Sequence, residues 1–272
     1  MYRASPKDGA AWVTGASSGI GRQVAIELAR AGYTVIATAR RHDELELLSA
    51  EVAADEVAVA HGGRVLTEPG DTRDEARMAA IVAAIVAECG GLALAFLNVG
   101  GHFSDPAAPY AAGPAWATIE LNVRSVTACL DPVVAHMRGR GRGQIVINAS
   151  LAGLIGLPGG TFYGASKAAL IHLAESLALT LSRDGIRVQV LTPGFIETPL
   201  TAGITMPMPF LMQLEPATRR IVKGFERGGF AIALPIRLAM ILKLLRILPY
   251  WLTFPLLRLA GRAAERAETR KP

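Results

Sequence analysis

The sequence predicts an α/β fold, a doubly wound parallel sheet with helices on both faces in three layers. Two observations carry this. Short apolar runs alternate with segments of helical period ten or more residues long, and a strand, a helix and a parallel strand in that order require a right-handed crossover. Some runs, Leu92 to Leu97 most clearly, are apolar throughout, as strands covered on both faces are. A chain of 272 residues, 51% hydrophobic, is long enough to bury one large core. No Pro/Ser-rich linker or shift of composition divides it before residue 200. It reads as a single domain over 1–272, with its core at 9–234, a region after the last Pro-Gly turn at 195–228 and an apolar, basic tail at 235–272.

The elements follow in order. Ala10 to Thr14 is a strand that breaks at Gly15, and the glycines at 15, 19 and 21 lead into a helix over Arg22 to Arg30. A glycine turn between strand and helix lets backbone approach a pyrophosphate, and the helix N-terminus offers unpaired amides and the positive end of its dipole. The second strand, Tyr33 to Thr38, ends in Ala39, Arg40 and Arg41, with no acid before Asp43. An acid here would hydrogen-bond the ribose 2′-hydroxyl of NAD, whereas arginine accommodates the 2′-phosphate of NADP. Arg40, with Arg41 as helper, therefore favours NADP(H) over NAD(H).

A helix from Asp43 to Ala60, a strand at Arg64 to Thr67, the turn Gly70, Asp71, Thr72 and a helix through Ile81 and Ile85 come next. The strand Leu92 to Leu97 stops at Asn98, Val99, Gly100, Gly101. Beyond a Pro/Ala/Gly loop, Trp116 to Met137 reads as one long helix containing Asn122. Strand Gln144 to Asn148, helix Phe162 to Arg183 and strand Ile186 to Thr192 complete the alternation before Pro193 and Gly194. Gly15, Arg40, Asn98, Ser150 and Pro193 each follow a strand, so all gather at the carboxyl edge of the sheet, where ligands bind at the switch point.

Tyr163 and Lys167 lie one turn apart on a helix face. A free tyrosine titrates near pH ~10, and a neighbouring ammonium lowers that by favouring the phenolate, which would make Tyr163 an acid or base. Ser150, just past a strand end, would present its hydroxyl to a polar substrate atom.

With these residues assembled, the sequence resembles the short-chain dehydrogenase/reductase family over most of residues 10 to 200, and the fold implied is the Rossmann type. The stretch Thr14, Gly15, Ala16, Ser17, Ser18, Gly19, Ile20, Gly21 looks like its cofactor turn and Asp71 like its adenine-contacting acid. Asn122, Ser150, Tyr163 and Lys167 resemble its catalytic tetrad, and Pro193, Gly194, Ile196 and Thr198 its nicotinamide-carboxamide motif. The resemblance implies hydride exchange between a nicotinamide and a carbonyl or alcohol carbon. Tyr163 would transfer the proton, Ser150 would bind the oxygen, and Lys167 would lower the Tyr163 pKa and bind the nicotinamide ribose. Asn122 would hold a water that connects Lys167 to solvent. Where the family usually carries Asn-Asn-Ala-Gly this chain has Leu97, Asn98, Val99, Gly100. Asn98 and Gly100 keep the cofactor approach, and Leu97 removes one polar side chain.

Composition narrows the function. Cys89 and Cys129 read as helical thiols in a reducing, cytoplasmic setting, the histidines lack metal-ligand spacing, so no metal is expected, and the first residues lack the apolar segment of a secretory signal. Of 28 basic and 23 acidic residues, 12 and 3 fall after Thr218, so the net charge of +5 belongs to the tail. There the basic residues are interleaved with apolar ones, and nothing resembles a nucleic-acid reading module. The resemblance implies that the region after residue 200 covers the substrate, so Met206, Met208, Phe210 and Met212 look like a flexible apolar lid, which would favour a lipophilic substrate; a methionine-rich loop packed on the core is the alternative. The stretch 236–260 is apolar nearly all round a helix yet too short in uncharged length to span a bilayer, and either packs on a subunit or sits in a membrane interface. The expectation is an NADPH-dependent carbonyl reductase working as a homodimer or homotetramer. A 3-oxoacyl-thioester reductase and a non-catalytic NADP(H)-binding sensor or scaffold are the alternatives.

Overall fold

The computed structural model describes residues 2–103, 107–204 and 207–268. Seven parallel strands form one sheet in the order β3-β2-β1-β4-β5-β6-β7. They are β1 (Ala10–Thr14), β2 (Thr34–Thr38), β3 (Arg64–Thr67), β4 (Leu92–Leu97), β5 (Gly143–Asn148), β6 (Ile186–Pro193) and β7 (Ala231–Leu234). The order reverses between β1 and β4, which pair Trp12 with Ala95 and Val13 with Phe96. A crevice therefore opens beyond the carboxyl ends of these two strands.

The two-residue period of a strand divides the core into two layers. Ala11, Val13, Val35, Ala37, Leu94 and Phe96 pack on one side against α1 (Gly19–Arg30), α2 (His42–Ala53) and α8 (Leu214–Glu226). Trp12, Ile36, Ala95, Leu97, Ile145 and Ile147 pack on the other against α4 (Glu75–Cys89), α6 (Ser125–Arg140) and α7 (Thr161–Leu181). Trp12 is wholly buried, and its indole N–H donates to Thr38 Oγ1 at 2.9 Å, which resolves the one polar atom it carries. Leu97 belongs to this second layer, so the polar side chain it replaces has become part of an apolar contact.

Two expected elements differ. The helix over 43–60 is broken into α2 and α3 (Glu56–Ala60), because the Asp55 carboxylate accepts the backbone N–H of Ala58 at 2.9 Å and starts a new helix. The same carboxylate pairs with Arg30 at 2.7 Å. The helix expected from Trp116 begins earlier as α5 (Ala112–Ile119) and reaches α6 through a π-helical turn at Glu120–Arg124. After β7 the chain forms α9 (Ile236–Ile247) and α10 (Tyr250–Glu268). No helix among the described residues is long and apolar enough to cross a membrane.

Candidate active site

A cleft of about 430 Å³ lies at the crevice between β1 and β4. Its floor is the glycine turn. Gly15 and Gly19 have φ of +68° and +56°, a conformation other residues adopt with strain. A Cβ at Gly21 would sit 2.2 Å from the Gly15 carbonyl oxygen, so the helix can start this close to the strand only with glycine there. Ser18 does not cap α1 with its side chain, which leaves the first amides of that helix open to an anion.

Asn98 locks the crevice. Its backbone N–H donates to Thr14 Oγ1 at 2.9 Å, its Nδ2 donates to the Thr14 carbonyl at 3.2 Å, and its Oδ1 accepts from Asn148 Nδ2 at 2.8 Å. The ends of β1, β4 and β5 are thereby tied together. Asn148, also on the cleft wall, has a buried Oδ1 without a partner among the described residues.

The second strand delivers the arginines. Arg41 arches back to the turn, its Nη2 donating to Ser17 Oγ at 3.0 Å, while Arg40 lines the cleft and forms no ion pair among the described residues. Opposite them, Asp71 is clamped by Arg73 at 2.6 Å, and the hydrogen bonds from that guanidinium hold its carboxyl down at about 2.

The reactive end lies between β5, α7 and β6. Ser150 starts a short turn in which its hydroxyl accepts the backbone N–H of Ala152 at 3.1 Å and donates to the Pro193 carbonyl at 3.3 Å. Lys167 is 2% exposed; its ammonium donates to the Asn148 carbonyl at 3.0 Å and lies 5.7 Å from the centre of the Tyr163 ring. Burial lowers Lys167 from its ordinary 10.5 to about 8. Tyr163 goes the other way. Its burial pushes the phenol up, with only the Ser150 hydroxyl pulling it down. The lowering expected from Lys167 is absent from this balance: its ammonium lies 5.7 Å from the ring centre, and desolvation sets the direction.

Asn122 stands behind this pair. Its Oδ1 accepts the N–H of Gly101 at 2.8 Å, and its Nδ2 donates to the Gly101 carbonyl at 3.0 Å and to Ser166 Oγ at 2.8 Å. Through these bonds the Asn122 side chain anchors the β4 loop to α7. The π turn that carries Asn122 is a widened turn of the kind found at functional sites. A Cβ at Gly100 would lie 2.8 Å from Lys167 Nζ and 3.2 Å from Asn122 Oδ1, so any larger residue there would press on the ammonium.

Of the residues expected from sequence, Gly15, Ser17, Ser18, Gly19, Ile20, Arg40, Arg41, Asp71, Asn98 and Gly100 line this one cleft. Ser150, Tyr163, Lys167, Pro193, Gly194, Ile196 and Thr198 line it too. Gly21 and Asn122 do not, lying beneath and behind it. Thr72, Leu121, Leu200 and Thr201 line it without having been expected. His102 is a further addition: its ring meets Tyr163 edge-on at 5.8 Å, from a loop whose histidine carries no spacing signal. The stretch expected to form an apolar lid is pinned at its base, where the Met212 N–H donates to the Phe195 carbonyl and the Glu197 N–H donates to that of Met212. Met206, named as part of that lid, lies outside the described residues, while Leu200, Phe210 and Leu211 are exposed.

The glycine cradle, the open helix terminus and the clamped acid suit a dinucleotide. The comparisons agree. The family model described as short chain dehydrogenase matches residues 9–208. An uncharacterized oxidoreductase of Myxococcus xanthus is 39% identical over 241 residues, covering 88% of this chain and 92% of the relative. The cyclohexanol dehydrogenase of an Acinetobacter species is 34% identical over 193 residues, covering 71% and 74%. A short-chain dehydrogenase of Sphingobium yanoikuyae in complex with NADPH superposes with a TM-score of 0.75 at 27% identity, covering 87% and 92%. The chain belongs to the short-chain dehydrogenase/reductase family, whose members are NAD(P)-dependent oxidoreductases acting on CH–OH and C=O groups.

Proposed function

We propose that this protein is an NADPH-dependent reductase of a lipophilic ketone or aldehyde. The observation that carries it is the placement of Tyr163: its phenol, protonated at neutral pH as a tyrosine ordinarily is, lines one cleft with Ser150, Lys167 and the glycine turn, so it faces the site as a proton donor to a carbonyl oxygen. The bound nicotinamide supplies hydride to the carbonyl carbon. Tyr163 gives its proton to the oxygen as negative charge develops there. Ser150 donates a hydrogen bond to the same oxygen, leaving the Pro193 carbonyl it holds at rest. Lys167 stays fixed by the Asn148 carbonyl, with its ammonium beside the phenol. Asn122 positions these groups by fastening Gly101 to Ser166.

The unpaired Arg40 supports NADPH, since a guanidinium at the edge of the adenosine site matches a 2′-phosphate. Exposed Leu200 on the cleft rim, with exposed Phe210 and Leu211 farther along the same segment, supports a lipophilic substrate. Self-association draws support from exposed Trp116 and Leu179 on α5 and α7. The cyclohexanol dehydrogenase relative makes cyclic ketones the first substrates to try. The test is oxidation of NADPH and NADH with cyclic ketones, long-chain aldehydes and a 3-oxoacyl thioester. NADPH should be preferred with the ketones or aldehydes, and Arg40→Asp should lose that preference. Equal use of both coenzymes by the unmodified protein would contradict the Arg40 argument. Turnover of the thioester alone would assign the second class of substrate.

A further inference from the structure

The tail is apolar nearly all round because it has two apolar faces, one packed inward and one open to solvent. Along α9, Leu238, Ala239, Leu242 and Leu245 turn inward onto Leu151, Leu154, Ile155 and Leu157, the loop that joins Ser150 to Tyr163. Arg246 Nη1 fastens the same contact by donating to the Leu154 carbonyl at 2.7 Å. Ile236, Met240, Leu244 and Ile247, spaced three or four apart, form a second stripe that is open to solvent; Met240 is 66% and Ile247 77% exposed. The stripe continues onto α10 through Tyr250, Trp251 and Phe254, all exposed. The corner between the helices is set by Thr253, whose buried hydroxyl donates to the carbonyls of Leu245 at 3.0 Å and Pro249 at 3.2 Å. Arg237 and Lys243 stand on either side of the stripe. Residues 235–259 contain four basic residues and no acid, and none of the four forms an ion pair among the described residues.

We propose that residues 236–259 are a monotopic docking face for a bilayer surface rich in anionic phospholipid. The proposal rests on the reading of a lipophilic substrate and names where that substrate is met. The apolar stripe enters the boundary of the acyl chains, Arg237 and Lys243 extend to the phosphates, and Tyr250 and Trp251 lie at headgroup depth. A second copy of this chain fits the face poorly. A two-fold contact would set each stripe and its cations against themselves, with no acid on either side to answer them. Because the inner face of α9 is packed on the loop between Ser150 and Tyr163, a docked tail sets the chain that carries these two residues beside the lipid. A carbonyl compound dissolved in the bilayer then reaches Tyr163 from the membrane side.

The test is co-sedimentation of the full chain with vesicles of phosphatidylcholine alone and of phosphatidylcholine with phosphatidylglycerol, at low and high salt, together with its mass by light scattering. Binding should require the anionic lipid and weaken with salt. It should fall by at least roughly tenfold in Met240→Glu/Leu244→Glu and in Arg237→Glu/Lys243→Glu. Both variants should keep NADPH turnover on a small water-soluble ketone, which reports that they fold. Absence of binding, or binding indifferent to lipid charge and to both variants, overturns the proposal. A dimer that ignores vesicles and falls apart in Met240→Glu/Leu244→Glu overturns it in favour of self-association. Sedimentation needs no turnover, so vesicle binding without ketone reduction would sink the reductase reading alone, and reduction without binding would sink the docking face alone.

Discussion

Lys167 is the costliest residue in the site. At its ordinary pKa of 10.5 the unfolded chain keeps the proton well after the folded chain, near 8, has lost it. Stability therefore rises with pH across the window from about 8 to 10.5, and the whole penalty, about 3 kcal/mol, is present below pH 8. Lys167→Met removes that penalty but leaves the Asn148 carbonyl without its donor, which costs about 1 kcal/mol. Chemical denaturation at pH 7 should show the variant more stable by about 1 to 2 kcal/mol, with the gain shrinking toward pH 10. Reduction by the variant should be nearly abolished. A variant less stable than the parent at pH 7 would mean that the hydrogen bond to Asn148 outweighs the desolvation of the ammonium. Much at this scale could be read from residue types: a Tyr and a Lys one turn apart, a serine at a strand tip, and arginines where an acid would select NAD. The direction of the Tyr163 shift could not, because it depends on how much protein closes over the phenol. Nor could the contact with His102, which a loop of no regular period brings across the cleft.

At the scale of elements, breaks were harder to read than the elements themselves. The apolar positions of 43–60 run at helical spacing past Asp55, and only the hydrogen bond to the Ala58 amide shows that the helix restarts there. Asp55→Ala should lower stability by about 1 kcal/mol through the lost cap, with a further small loss from the Arg30 pair, and leave turnover on a soluble ketone unchanged. Equal unfolding midpoints for parent and variant would show that α3 needs no cap. The π turn at Glu120–Arg124 was hidden for a different reason. Its cause is tertiary, the grip of Asn122 on Gly101 and Ser166, and no local propensity records it. α9 sits between these cases: its all-round apolarity was visible, but only the packed structure separates the face that holds the Ser150 loop from the face left open.

For the whole molecule, topology decides where chemistry can occur. Alternating strands and helices placed Gly15, Arg40, Asn98, Ser150 and Pro193 on one sheet edge before any contact was known, and the strand order puts the switch point between β1 and β4. Asn98 and Asn148 then close that point by hydrogen bonds, and α7 brings Tyr163 and Lys167 across from the next crossover. Leu97 illustrates how far one departure from a family pattern reaches: it joins the core beside Trp12, and the cleft is still sealed by Asn98. The tail is the part of the molecule whose role is set outside the sheet, which is why sequence left it between two partners.

The central claim is that Tyr163, its phenol beside Ser150 and Lys167 in the cleft, is the acid of a carbonyl reduction. The most direct measurement is NADPH oxidation with a ketone the parent reduces, repeated with Tyr163→Phe alongside NADPH binding by fluorescence. The account predicts turnover lower by roughly a thousandfold or more with coenzyme affinity retained. Turnover within about tenfold of the parent, in a variant that still binds NADPH, would contradict it.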